Sequence, residues 1–121
     1  MINIDSLDAF SHEFLAALEE VADGELQNED VYLSRDYSLA DCVQRDMKNI
    51  NSAIELFIKA RNSNDDLAMR AALLHIRSFM MGVSGVFYQT AEDIERFFKF
   101  SGDSTFPEDY KIPEHYKYPI K

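Results

Sequence analysis

A chain of 121 residues suits one domain, and 46% apolar residues exclude disorder over most of it. Four Gly, three Pro and a single Cys favour helix over sheet and leave no internal disulfide, so a secreted, stapled scaffold is excluded. A formal net charge of −10 discourages direct binding to nucleic acid or to an anionic membrane, which need a basic footprint, and favours encounter with a basic partner.

The N-terminus has no basic start or apolar run of a signal peptide; Asp5 and Asp8 stand there instead, so a soluble, cytoplasmic protein is the expectation. From Asp5 to about Ala22 the pattern is helical. Leu7, Phe10, Phe14, Ala17, Leu18 and Val21 recur at three- and four-residue steps and predict one apolar face. At about 100° per residue, Asp5, Asp8, Glu13, Glu19, Glu20 and Asp23 fall within roughly 140° of arc on the other side. Residues 1–31 hold nine acids and no Lys or Arg, whereas the remaining 13 acids are nearly balanced by all 12 basic residues. Acids at the start of a helix suit its dipole, but Glu19, Glu20 and Asp23 near its end do not, and like charges on one face repel. A face that gives up helix stability in this way points to binding. The plainer alternatives are a solvated acidic face, or internal pairing of these acids with Arg70 and Arg77.

Asp23 to Tyr37 reads as a loop that opens with the Asp23-Gly24 turn and holds a short extended piece at 31–33. Ser38 offers an N-cap, with Asp41 in a capping-box-like position, for a helix running to about Arg61. Leu39, Val43, Met47, Ile50, Ile54 and Phe57 form a near-heptad seam, suited to a helix of the same chain or to a homodimer contact. Residues 62–65 read as a turn, so the next helix folds back as a hairpin. From Asp66 to Met81 that helix is apolar nearly all round, which predicts a place at the centre of a bundle. Arg70, His75 and Arg77 interrupt it and argue against a membrane span. Gly82 and Gly85 offer a kink or a close approach of backbones. Thr90, with Asp93 three residues on, reads as the N-cap of a separate short helix ending near Phe100. In the tail, Asp109-Tyr110-Lys111-Ile112-Pro113 is echoed by His115-Tyr116-Lys117-Tyr118-Pro119, a spacing that favours extended chain. The tail either packs its Tyr rings across the bundle or serves as a partner-binding arm. The expected fold is all-α: one domain over 1–121, with a bundle of three to four helices and a central helical hairpin over 1–104, and an extended tail over 105–121.

The sequence holds no phosphate-cradling Gly-rich loop, no HExxH and no paired Glu-x-x-His. His12, His75 and His115 share no ligand spacing with Cys42, so no metal, cofactor or catalytic residues are expected, and Cys42 reads as a small core or boundary residue. Arg70 to His75 fits an Arg-x4-His spacing that resembles HEPN-type ribonucleases, which are also small helical bundles; that family usually has a polar residue where this chain has Ala71. The resemblance would imply RNA cleavage with Arg70 and His75 as its pair. Otherwise His75 is a hydrogen-bonded histidine at the edge of the core.

The leading expectation is a non-enzymatic acidic binding or inhibitor protein. Its first helix would cover a basic protein partner, in the manner of immunity proteins, antitoxins or anti-defence proteins, mimicry of a nucleic-acid backbone included. Tyr32, Tyr37, Phe106, Tyr110, Tyr116 and Tyr118 are the candidate anchors. The second expectation is a homo-oligomeric structural or assembly subunit, built through the near-heptad seam and the tail.

Overall fold

The computed structural model describes residues 4–27, 30–102 and 107–120. These residues are all helical or irregular, with no strand among them: α1 is Ser6–Ala22, α2 Leu39–Asn62 and α3 Asp66–Ser101, with a 3-10 turn at Glu114–Tyr116. The bundle therefore has three long helices rather than four, and α2 and α3 pack as a hairpin.

Helix boundaries follow local chemistry. The Ser38 hydroxyl accepts the Asp41 N–H at 3.1 Å and so caps α2, while Lys59 and Arg61 sit in the last turn, where they complement the dipole. Asp65 caps α3 by accepting the Ala68 N–H at 3.1 Å. The end of α3 is set by Gly102 at φ +74°, a left-handed residue whose N–H returns to the Phe98 carbonyl. No break occurs at Thr90. Its hydroxyl donates to the Val86 carbonyl one turn back at 2.8 Å, so it is satisfied inside a continuous helix instead of capping a new one. Gly82 and Gly85 lie within α3; neither meets a close backbone, and a Cβ on Gly82 would be no nearer than 3.5 Å to Asp46.

The seam between α2 and α3 runs through Leu39, Val43, Asp46, Ile50, Ala53, Phe57 and Ala60 on one side and Ala72, Ile76, Phe79, Val83, Val86, Thr90 and Asp93 on the other, all buried or half-buried. Both sets step alternately by four and three, as knobs-into-holes packing requires. This corrects the expected seam at two positions: Asp46 and Ala53 face α3, and Met47 and Ile54, one residue on, turn outward. Small residues at the contact (Ala53, Ala60, Ala72) let the backbones approach closely, and that selects the seam that contains them.

α1 lies across the open end of the hairpin. A core of Leu15, Leu33, Leu39, Val43 and Val86 forms there, with Leu7, Phe14, Tyr32, Tyr37 and Cys42 packed against it. Cys42 is thus a boundary residue of the core. The spine of α1 is Ser11, Leu15, Leu18 and Ala22. It is turned by roughly 80° from the expected face, and Phe10 is left on its exposed flank.

The predicted central position of α3 is not found. Over its 36 residues only Ala72, Val86, Thr90 and Asp93 are fully buried, because three helices cannot surround it. By length and composition alone α3 is long and apolar enough to cross a membrane.

Candidate interaction surfaces

The rotation of α1 divides the acidic arc. Asp8 and Glu19 fall nearest the buried spine and are drawn into the fold. Asp8 accepts the Ser38 hydroxyl at 2.7 Å and the Ala40 N–H at 2.9 Å, so one helix's carboxylate sits on the N-terminus of the next. The Ala40 N–H first, and then the Ser38 hydroxyl, hold its carboxyl below the ordinary Asp value. Glu19 pairs with Arg35 at 2.8 Å across an exposed contact. Glu13, Glu20 and Asp23 are exposed on α1 or at its end, and Asp5 is exposed at its N-cap. Arg70 takes no part, since it pairs with Asp66 one turn away on α3 at 2.8 Å.

Taken along the whole chain, charge is polarised. Residues 1–46 hold twelve acids and two bases, a net −10; residues 47–91 hold three acids and five bases, a net +2; residues 92–121 hold seven and five, a net −2. The end of the molecule built from α1 and the loop is therefore a negative head. The hairpin arm projecting from it is mildly positive, and residues 67–91 contain no acid at all.

Behind the head, Asp93 organises the loop. Its side chain is completely buried on α3, accepts the Tyr32 and Leu33 N–H groups, and pairs with Arg96 at 2.9 Å. The piece at 31–33 belongs to the expected loop and hangs on one carboxylate, with no strand pairing. Tyr32 and Tyr37, two of the candidate anchors, lie in this loop and are half-buried. Their hydroxyls share a hydrogen bond at 2.6 Å, their rings meet edge to face, and burial pushes the Tyr37 phenol up. Between α1 and this loop lies a shallow cleft of about 260 Å³, lined by Asp8, His12, Arg35 and Tyr37 among others.

Tyr110, Tyr116 and Tyr118 are exposed, and the 3-10 turn between them contacts none of the three helices. Tyr110 and Tyr118, with Ile112 and Ile120, curl around a cavity of about 540 Å³ of the tail's own making. Phe106 lies outside the described residues.

Arg70 and His75 both belong to α3, where five helical steps turn their side chains about 140° apart. His75 is exposed and meets the Phe79 ring edge to face, so it is not a core-edge histidine. Among the described residues no group of three or more His, Cys, Asp or Glu is placed to hold a metal ion.

Comparison with family models, with curated proteins and with solved structures gives no match.

One surface was missed by the sequence reading. Leu73, Met80, Phe87 and Ile94 recur every seven residues along α3 and are exposed, as are Met47, Ile54 and Ile58 on α2. A second seven-residue row, Leu67, Leu74, Met81 and Tyr88, runs along the back of α3, with Leu67 80% exposed. Helix geometry puts the first two sets on one face of the hairpin, since each lies on the same side of the shared seam. Asp46 stands beside Gly82, and this register brings Met47 level with Met80, and Ile54 and Ile58 to either side of Leu73. Cys42, which meets the head, lies on the opposite side of the seam, about 140° from Met47 on α2, and Asp93, the seam residue that holds the loop, lies about 120° from Phe87 on α3. The apolar face is therefore open. The exact heptad recurrence was the signal that could have revealed it; an all-round apolar helix reads as buried when each residue is weighed singly.

Proposed function

We propose that the protein is a non-enzymatic binding protein whose negative head covers a basic surface on another macromolecule, in the way an inhibitor masks its target. The observation that carries this reading is the polarised charge: a net −10 is concentrated in residues 1–46, with Glu13, Glu20 and Asp23 on the solvent side of α1. A concentrated single-sign field steers an oppositely charged partner and raises the rate of encounter, while affinity then depends on buried anchors. Phe10, exposed on the flank of α1 and stacked on Phe14, and the exposed tyrosines of the tail are the available anchors.

The test is capture of a partner from the native host by the full chain, compared with E13K/E20K. Among the described residues Asp8 and Glu19 hydrogen-bond or pair within the head, and Glu13 and Glu20 do not. A partner held at low salt, released at high salt and lost in the double variant supports the reading. A partner held equally by both forms at all salt concentrations removes it.

A second reading, an assembly subunit, is favoured by one observation, the exposed apolar face of the hairpin.

A further inference from the structure

We propose that the open apolar face of the α2–α3 hairpin is the docking surface for a second copy of this chain, joined antiparallel so that two hairpins complete a four-helix bundle. Three observations carry it.

The first is the pattern. The face is not a scatter of surface residues. Met47 with Met80, and Ile54 and Ile58 with Leu73, form successive layers beside the seam, and Phe87 continues the row toward the head. The row on α3 keeps a seven-residue period through three repeats, which is the periodicity that faces another helix at a shallow angle. A membrane or a flexible peptide makes no such demand on register, whereas an identical hairpin meets it with its own two rows.

The second is the area. These side chains are each between 37% and 52% exposed. With a large apolar residue presenting roughly 200 Å² when free, they offer roughly 600 Å² on each copy. That is at or above the largest apolar patch usual on a monomer, about 300–600 Å². Doubled, it reaches about 1,200 Å², where specific protein interfaces begin.

The third is charge. Two chains of net −10 repel if their heads are set side by side. The arm that carries the face is itself mildly positive, with no acid between Leu67 and Ala91. Antiparallel docking keeps the two heads at opposite ends and brings each arm toward the other copy's head, so opposite signs approach. A two-fold axis crossing near the level of Met47 and Met80 gives this arrangement and closes the assembly at two.

The experiment measures the mass of the full chain in solution by light scattering between 1 and 100 µM, together with M80E and M81E. Expected is a species of twice the 14.0 kDa chain mass. M80E, on the face, raises the dissociation constant at least tenfold with helical circular dichroism retained. M81E, its neighbour on the back row, stays within twofold. Orientation is read by spin labels on N62C in a C42S background: antiparallel docking puts the two hairpin tips roughly 50 Å apart, at 1.5 Å rise per residue along α3, whereas parallel docking brings them together. This measurement also stands if M80E does not fold.

A monomer at 100 µM overturns the proposal, as does a dimer that M80E leaves intact or one whose tips lie adjacent. A monomer that partitions onto phosphatidylcholine vesicles through α3 assigns the face to lipid and overturns it equally. E13K/E20K leaves the dimer mass unchanged, so failure here and failure of the acidic-head reading are told apart.

Discussion

The Asp93 carboxylate, buried on α3, accepts the Leu33 N–H at 2.7 Å from sixty residues away, and its two oxygens share the Tyr32 N–H at 2.9 and 3.0 Å. Arg96 supplies the countercharge one turn on. No buried side-chain nitrogen or oxygen among the described residues is left without a partner, and this network is the part of that satisfaction that joins the loop to the hairpin.

Removing the carboxylate leaves two backbone N–H groups with nothing to bond and a void beneath the loop. D93A is expected to cost about 3 kcal/mol of stability, in the range for breaking a buried charged network. D93N keeps the shape and one acceptor oxygen and should cost less, about 1–2 kcal/mol. Urea unfolding of the two variants checks the order. Equal losses would mean that packing rather than hydrogen bonding fixes the loop.

Asp8 predicts a pH dependence. Its folded pKa is lowered, chiefly by the Ala40 N–H and then by the Ser38 hydroxyl, so the folded state favours the ionised form more than the unfolded chain does. The stabilisation is therefore present above the unfolded pKa of about 3.9 and is lost as pH falls through the folded value. D8N should be less stable than the wild type at pH 7, and the difference should close below about pH 4. Melting temperatures measured across pH 2.5–7 report it; a gap that stays constant with pH would show that Asp8 acts without its charge.

α1 also allows the cost of its acidic face to be measured. Glu20 lies in the last turns of the helix, where a negative side chain opposes the dipole, and it is exposed. E20K should stabilise the protein by about 0.3–1 kcal/mol at low salt, shrinking as salt is added. Chemical denaturation at 10 and 500 mM NaCl is the check, and a destabilised E20K would show that Glu20 has a structural partner in solution.

Much of the architecture could be read from local sequence. The Ser38 cap, the turn at 62–65 and the hairpin follow from capping and turn chemistry within a few residues. What could not be read is long-range. Thr90 and Asp93 look like a cap and its box partner, and only the loop 60 residues earlier explains why Asp93 is inside the fold. The choice between Met47 and Asp46, or Ile54 and Ala53, as the seam depends on how closely two helices approach. Hydrophobicity alone picks the larger residue, and the packed hairpin picks the smaller. The same error hid the open face. The acidic arc was legible as a pattern, but its division into used and free acids depends on the roll of α1, set by Leu15 and Leu18 against the core.

The close approach of α2 and α3 can be tested at a single layer. Ala72 is fully buried between α2 and α3, while Ala71, one residue earlier, is exposed. If close approach is what turns Met47 and Ile54 outward, then enlarging Ala72 must force the helices apart. A72L should destabilise by about 1–3 kcal/mol despite its added apolar surface, the usual result of overpacking a filled site. A71L adds the same atoms where there is room and should change stability by less than about 0.5 kcal/mol. Thermal and urea denaturation of the pair decides the matter. An A72L protein as stable as A71L would mean that the hairpin has slack at this layer, and that small residues are not what sets the register of the seam.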